Sequence, residues 1–489
     1  MPKLPLLTPT LSAWLAVQSL SFTNAAAAET EPSGWQAGLA RVKITPERPV
    51  VLLGYGERAG PFQSVAEDIY AKALALEDGG GGRAVLVTAD LVGFQAAVVT
   101  DEVCRRLRAK TGLERRQLLF NASHHHTGPL VSLDPDPAAN SAAHGPLTPD
   151  DLRETIAYTR QLQDKLVQLV VEALARLRRA RLAWGVGQVG FPMNRRLRRG
   201  DRIAMSENPQ GPTDPSVPVL RVAAPDGTPR AVLFGCACHN TTLTPRDSVI
   251  AGDYAGFAQE EIERRHPGAQ AMFLCGCGGD ANPHPRGSMD LARQHGATLA
   301  REVSRVLETG LQPVHGRLGT RYTEVKLPLQ KLSRTELEAR TKLRSAESVM
   351  ARHMISVLDQ GESLPRSYRA PFAVWQFGSG LTLVGLPGEP VADYVSLIRQ
   401  RLGAERLWVA GYNNDCFGYL PTAQIVREGG HEAIGVTLWI WGKNLRRNTG
   451  FFAPEVEPAV LDAVQQLAGK VGRPALRTPA VTNAGSNRD

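Results

Sequence analysis

The residues best suited to chemistry form the run Asn121-Ala122-Ser123-His124-His125-His126-Thr127-Gly128-Pro129. It follows an apolar segment, 117–120, that reads as a strand. In an extended chain alternate side chains share a face, so His124 and His126 point one way and His125 the other. Gly128-Pro129 then turns the chain. Two imidazoles at a strand end suit a divalent transition metal, or one ligand and one substrate-facing base. The plain alternative is a polar loop with a chance histidine cluster.

Four further segments end an apolar run in unusual polar residues. His239 closes Phe234-Gly235-Cys236-Ala237-Cys238-His239, and Asp280 and Asn282 follow Cys275-Gly276-Cys277-Gly278-Gly279. Glu389 follows Leu386-Pro387-Gly388, and Tyr419 ends Gly411-Tyr412-Asn413-Asn414-Asp415-Cys416-Phe417-Gly418-Tyr419. The glycines let backbone approach a ligand closely. Each residue has a structural alternative: His239 as a satisfied core histidine, Asp280 as a turn cap, Glu389 as a carboxylate at a helix start. Together the segments point to one convergent site, because ligands of α/β folds gather where strands end.

The elements that would position them read as strands over 39–44, 84–89, 117–122, 217–222, 231–236, 271–274, 372–377, 381–386 and 407–410. Helical patterns run over 96–110, 151–181, 256–265, 291–308, 335–359, 392–401 and 454–467. The alternation predicts an α/β fold, a layered β-sheet core with flanking helices in a single large catalytic domain. Gly378-Ser379-Gly380 between two strands reads as a hairpin turn, so the sheet should be mixed. Asp78-Gly79-Gly80-Gly81-Gly82 reads as a turn and not a phosphate loop, since no Gly-Lys-Ser/Thr follows.

The net charge is +8, but the arginines are scattered or helical (Arg176, Arg178, Arg179, Arg181; Arg195, Arg196, Arg198, Arg199). Without zinc-finger spacing or an aromatic-basic repeat, nucleic acid is not an expected partner. A solvated basic face is the reading, with contact to a membrane surface or an acidic substrate left open. Residues 1–28 resemble a signal peptide: Lys3, an apolar stretch, then Ala25-Ala26-Ala27-Ala28. The expected destination is periplasmic or secreted, and no other apolar run is long enough to span a bilayer. Of the six cysteines, Cys236/Cys238 and Cys275/Cys277 form Cys-x-Cys pairs. That spacing favours buried thiols or one inter-strand disulfide over a metal site. The tail, 473–489, lacks periodicity and reads as disordered.

The motifs resemble the catalytic domain of the neutral/alkaline non-lysosomal ceramidases, zinc amidases that split the N-acyl bond of ceramide. The resemblance runs over roughly 36–450, through Gly38-Leu39-Ala40-Arg41-Val42-Lys43-Ile44-Thr45-Pro46, Leu53-Gly54-Tyr55-Gly56, Thr88-Ala89-Asp90-Leu91, the histidine run, Asn194-Arg195, His239, Gly279-Asp280, Pro387-Gly388-Glu389 and Tyr419. It implies a catalytic domain over 29–472 and one Zn²⁺ per chain on His124, His239, Glu389 and Tyr419. It also implies a substrate-facing His126 and a catalytic-site Arg195. His126 or Asp280 would then move the proton. Two positions depart from the family. Its proposed nucleophilic serine falls on Asn282, and a further tyrosine falls on His431. An amide cannot form an acyl-enzyme, so the reading becomes attack by metal-activated water. Asn282 would donate a hydrogen bond, and His431 would protonate the leaving group or steady the oxyanion. The expected partner is a small-molecule or lipid substrate, an N-acyl amide or a related ester. The alternative is a metal-bearing binding protein without catalysis. A disulfide-rich adhesin would hold no metal.

Overall fold

The computed structural model describes residues 34–473 apart from Glu57, Ala59, 137–146, 344–345 and 437–448. They belong to one compact unit, Ser33–Asp489. The larger sheet contains β1 (Trp35–Lys43), β2 (Tyr70–Glu77), β3 (Arg83–Ala89), β4 (Leu118–Ala122), β5 (Arg178–Gln188), β6 (Ser216–Ala223), β7 (Pro229–Cys236) and β8 (Gln270–Cys275). Their spatial order is β8-β7-β6-β5-β1-β2-β3-β4, with Gln312–Val314 beside β5. The smaller sheet is β9 (Leu318–Pro328), β10 (Ser367–Phe377), β11 (Leu381–Gly385) and β12 (Leu407–Ala410), in that order. Most neighbours are antiparallel, but β3–β4, β7–β8 and β11–β12 are parallel.

The strands are apolar on both faces because both faces are covered. In β2, Ala71, Ala73 and Ala75 face a helical layer, while Leu74 and Leu76 face the second sheet. Trp35, Leu86, Leu119, Trp184, Trp375, Leu383 and Trp408 fill the space between the sheets. On the outer face of the larger sheet lie α1 (Asp101–Thr111) and α2 (Pro149–Ala175), then α3 (Asp253–Arg265) and α4 (Met289–Glu308). The smaller sheet is backed by α5 (Asp393–Leu402) and α6 (Val456–Lys470). Tyr158, Leu162, Leu166 and Val170 of α2 recur every fourth residue and form its buried row. Thr148 and Asp151 cap it reciprocally, with Pro149 at the first position.

The layered mixed sheets and the 378–380 hairpin match expectation, and the Asp78–Gly82 turn joins β2 to β3. Several sequence readings need correction. The helix expected over 151–181 stops at Ala175, and 178–188 is the central strand β5. Beyond Leu177 the burial period drops to two, with Ala180, Leu182 and Trp184 entering the inter-sheet core. The helix expected over 335–359 is two helices, Arg334–Arg340 and Ala346–Asp359. Strand β2 escaped notice because Tyr70-Ala71-Lys72-Ala73-Leu74-Ala75 is alanine-rich, a composition depleted in strands. All six cysteines are buried free thiols. Arg195 and Arg196 are buried, not part of a solvated basic face. Arg473 hydrogen-bonds to the carbonyls of Leu402, Gly403 and Glu405. The rest of 473–489 and residues 1–28, expected to be a signal peptide, lie outside the described residues. Among the described residues no helix is long and apolar enough to cross a membrane.

Candidate metal centre

Each parallel pair sends its two chains out at the same edge, and the three edges meet. The β3–β4 pair leads to His124, β7–β8 to His239 and Asp280, and β11–β12 to Glu389 and the 411–419 loop. Asn121 ties them together. Its Nδ2 donates to Gly411 O at 2.7 Å, and its Oδ1 accepts from Cys275 N at 2.9 Å. Glu389 and Tyr419 are then paired in register across a short parallel bridge.

The histidines are brought together by a turn, not by a continuing strand. Strand β4 ends at Ala122, and His124 takes a left-handed conformation, φ 62°. The alternation nevertheless survives. His126 Nε2 lies 3.2 Å from His124 Nε2, while His125 turns away to Thr127 Oγ1. The Leu53-Gly54-Tyr55-Gly56 loop closes over His126. Tyr55 packs edge-on against its ring at 4.8 Å, and Arg58 Nη1 donates to His126 O at 2.7 Å. Gly54 has φ +108°, and a Cβ there would lie 2.4 Å from His126 Cγ. Gly54→Ala should therefore displace His126 and reduce turnover at least ~10²-fold, since a misplacement near 1 Å has that cost. Steady-state kinetics on any substrate the protein is found to cleave checks it.

His124 Nδ1 lies 2.6 Å from Val92 O, and His239 Nδ1 lies 2.7 Å from Gly278 O. A carbonyl only accepts, so each Nδ1 carries a proton, and the neutral ring presents its lone pair at Nε2. Both Nε2 atoms lie 3.2 Å from Glu389 Oε2. His239 Nε2 and Glu389 Oε2 are buried with no hydrogen-bond partner. Burial holds the His239 imidazole down to about 3, with Arg195 adding to the effect, so it is neutral. Burial opposes ionisation of Glu389, but the two imidazoles beside it hold its carboxyl well below the usual range. With both Nδ1 protons committed to carbonyls, these three converging atoms need a cation, a proton or a metal ion, between them. The donors therefore fit a divalent transition metal, with both outer nitrogens anchored to carbonyls as metal-binding histidines require. The ring nitrogens of His124, His126 and His239 all lie within 4.8 Å of one another. Glu389 sits against His124 and His239, while His126 Nε2 meets His124 Nε2 at 3.2 Å.

Arg195 is the hub beside this cluster. Its Nη2 donates to Tyr419 OH at 2.8 Å and Gly279 O at 2.9 Å, and its Nη1 to Asn282 Oδ1 at 3.0 Å. Thr241 Oγ1 also reaches Asn282 Oδ1, at 3.2 Å. With Oδ1 doubly engaged by donors, the Asn282 NH₂ is the group left for a ligand. Asn282 and Arg195 border a cavity of about 410 Å³ with Met193, Ser206, Glu207 and Arg286. The Tyr419 ring stacks with His239 at 6.4 Å and meets His431 edge-on at 5.1 Å. Burial raises the Tyr419 phenol and lowers the His431 imidazole.

Asp280 does not face the histidines. Its Oδ1 accepts from Ala392 N at 2.8 Å, at the start of α5, and its Oδ2 from Asn194 Nδ2 at 3.1 Å. Burial pushes its carboxyl up to about 7. The capping alternative applies, although to a distant helix. Gly279 must lack a side chain here, because a Cβ would lie 2.5 Å from Glu389 O. Sequence reasoning missed Glu432, a buried carboxylate on Arg195 and Arg196. A single acidic residue after His431 carries no spacing signal that would have found it.

The fold and site define a layered α/β protein whose strand ends converge on a buried histidine–carboxylate centre suited to a metal. The chain belongs to the neutral/alkaline non-lysosomal ceramidase family, whose N-terminal family model matches residues 35–289. A neutral ceramidase of Mycobacterium tuberculosis is 25% identical over 310 residues, covering 56% of this chain and 46% of the relative. One of Pseudomonas aeruginosa is 23% identical over 261 residues, covering 51% and 37%. The chain thus matches about half or less of these relatives' length. Among solved structures, neutral ceramidase from Pseudomonas aeruginosa superposes with a TM-score of 0.66 at 20% identity, covering 89% of this chain and 74% of that one. A ceramidase complexed with C2 gives 0.67 at 18% identity, covering 91% and 76%. These likenesses show a shared fold.

Proposed function

We propose that this chain is an exported zinc-dependent hydrolase that cleaves the amide of a ceramide-like N-acyl compound, or a related ester. The observation that carries the reading is the convergence of His124 Nε2 and His239 Nε2 on Glu389 Oε2, each at 3.2 Å. Zinc would be held by His124, His239, Glu389 and Tyr419, one per chain. When bound it supplies Lewis-acid polarisation and lowers the pKa of water. The catalytic domain would span 29–472 after removal of the leader 1–28, with 473–489 as a tail.

The chain's own residues do the rest. His126, neutral because burial and His124 hold it well below its usual range, takes and returns a proton at Nε2. Asn282 donates through Nδ2 to the substrate carbonyl oxygen, its orientation fixed by Arg195 and Thr241. His431, beside Tyr419, serves the leaving group. The covalent route of the family lacks its hydroxyl here. Cys277 is a poor substitute, because burial raises its thiol well above the usual range.

The deciding experiment is a hydrolysis panel of ceramides, shorter N-acyl amides, esters and lactones, with and without chelator, on zinc-reconstituted protein. Chelator-sensitive, zinc-restored cleavage supports the reading. Stoichiometric zinc with no cleavage of any panel member would instead support the binding-protein alternative. Asn282→Ala should slow turnover ~10²–10³-fold without abolishing it, the usual cost of one oxyanion donor. Intact-mass spectrometry during turnover should show no acyl adduct, and an adduct on Cys277 or Thr241 would reject the water route.

A further inference from the structure

We infer that Glu432 is a positioning residue for the proposed reaction, aiming the Arg195 guanidinium at Tyr419 and Asn282. The inference rests on the hydrolytic reading above. Arg195 is a rigid planar fork of donors, so fixing one edge fixes where the others point. Glu432 Oε1 holds that edge, accepting from Arg195 Nε at 2.8 Å. The remaining nitrogens then reach Tyr419 OH, Gly279 O and Asn282 Oδ1, joining one proposed metal ligand to the proposed carbonyl donor.

The carboxylate is itself immobilised. Its Oε2 accepts from Arg196 Nη1 at 2.8 Å, and Arg196 Nη2 is held by Gly429 O at 3.0 Å and Glu428 Oε2 at 3.2 Å. Backbone bonds fix the arginine pair: Arg195 N donates to Asp280 O at 2.9 Å, and Arg196 N to Asn194 Oδ1 at 2.9 Å. Glu432 is 1% exposed, on a short turn, His431–Ala433, opened by Gly430 at φ +92°. One side chain thus sets the geometry of two groups that sequence motifs treat as separate. The two Glu432 oxygens bond to Arg195 and Arg196 and not to the proposed metal ligands, so its effect on the site passes through Arg195.

The test compares Glu432→Gln, Arg195→Lys and the double variant in the full chain. The readouts are kcat, KM, zinc content, thermal midpoint and the NMR signal of the Arg195 Nε–H. The expected result for Glu432→Gln is a kcat loss of roughly 10- to 100-fold, typical of a support group one step from the site. KM should change little, about one zinc should remain, and the Nε–H signal should shift. Added to Arg195→Lys, it should cost almost nothing more, because the two act as one unit. Independent, multiplying losses, or an unshifted Nε–H signal, would overturn the inference. If Glu432→Gln does not fold, Glu432→Asp keeps the charge, shortens the reach and is judged by the same kcat and Nε–H criteria. Wild-type protein that hydrolyses nothing would defeat the hydrolytic reading alone, since the Nε–H signal still reports the clamp.

Discussion

Replacing Glu389 by glutamine should abolish metal binding and hydrolysis while stabilising the metal-free protein. The carboxylate is the anion of the proposed donor set, and it lies 3.2 Å from both His124 Nε2 and His239 Nε2. Without metal, His239 Nε2 and Glu389 Oε2 are both buried with no hydrogen-bond partner. The glutamine amide brings N–H donors to that point. Satisfying a buried acceptor is worth about 1–3 kcal/mol, so the metal-free variant should gain stability of that order. Chemical denaturation of both metal-free proteins measures it, and elemental analysis measures the metal. A destabilised glutamine variant would show that the lone pairs do not converge as described. His124→Ala should also lose metal. His125→Ala should retain it at about one equivalent after reconstitution, because its ring turns toward Thr127. Less than about half an equivalent in wild type would sink the zinc proposal.

Arg195→Ala should produce the largest loss of stability of any substitution at the site. Arg195 is 5% exposed, and its removal leaves Glu432, itself 1% exposed, with Arg196 as its remaining arginine partner. Breaking a buried pair by deleting one partner costs about 3–5 kcal/mol. Activity should fall as well, because Tyr419 OH, Gly279 O and Asn282 Oδ1 lose their shared donor. The pH dependence should change in a defined direction. Burial opposes the charge on Glu432, but Arg195 and its neighbours pull its carboxyl down to about 2. A depressed carboxyl contributes stability above its unfolded pKa, near 4.5, and loses it as pH falls toward 2. Without Arg195 that contribution shrinks. The gap in urea midpoint between wild type and variant should therefore be wide at pH 7 and narrow near pH 2. A constant gap across that range would mean the pair contributes nothing to the acid response.

Much of the architecture was legible in one dimension. Apolar runs at 84–89, 231–236 and 381–386 proved to be strands β3, β7 and β11, because strands buried on both faces must be apolar at every position. Where burial period and composition disagreed, the reading failed. The arginine-rich start of β5 continued a helical pattern, and alanine-rich β2 lacked the branched residues that mark strands. Its place between β1 and β3 is held by ladder pairing, which local composition does not encode.

The candidate site divides the same way. The types of donor were written in the chain: imidazoles at 124, 126 and 239, a carboxylate at 389 and a phenol at 419, each after an apolar run. Those residues were sufficient to suggest metal chemistry, while the missing serine at 282 and the place of Arg195 in the site emerged only from the resemblance to the ceramidases. Which nitrogen faces inward was decided by Val92 O and Gly278 O, carbonyls that any residue supplies. The turn of Asp280 toward α5 and the grip of Glu432 on Arg195 were likewise decided only in three dimensions. The physical reason is separation along the chain. Asp280 and Ala392 lie 112 residues apart, and Arg195 and Glu432 lie 237 apart. Local sequence determines which groups end a strand, whereas the parallel pairing of distant strands decides which of those groups share one buried point.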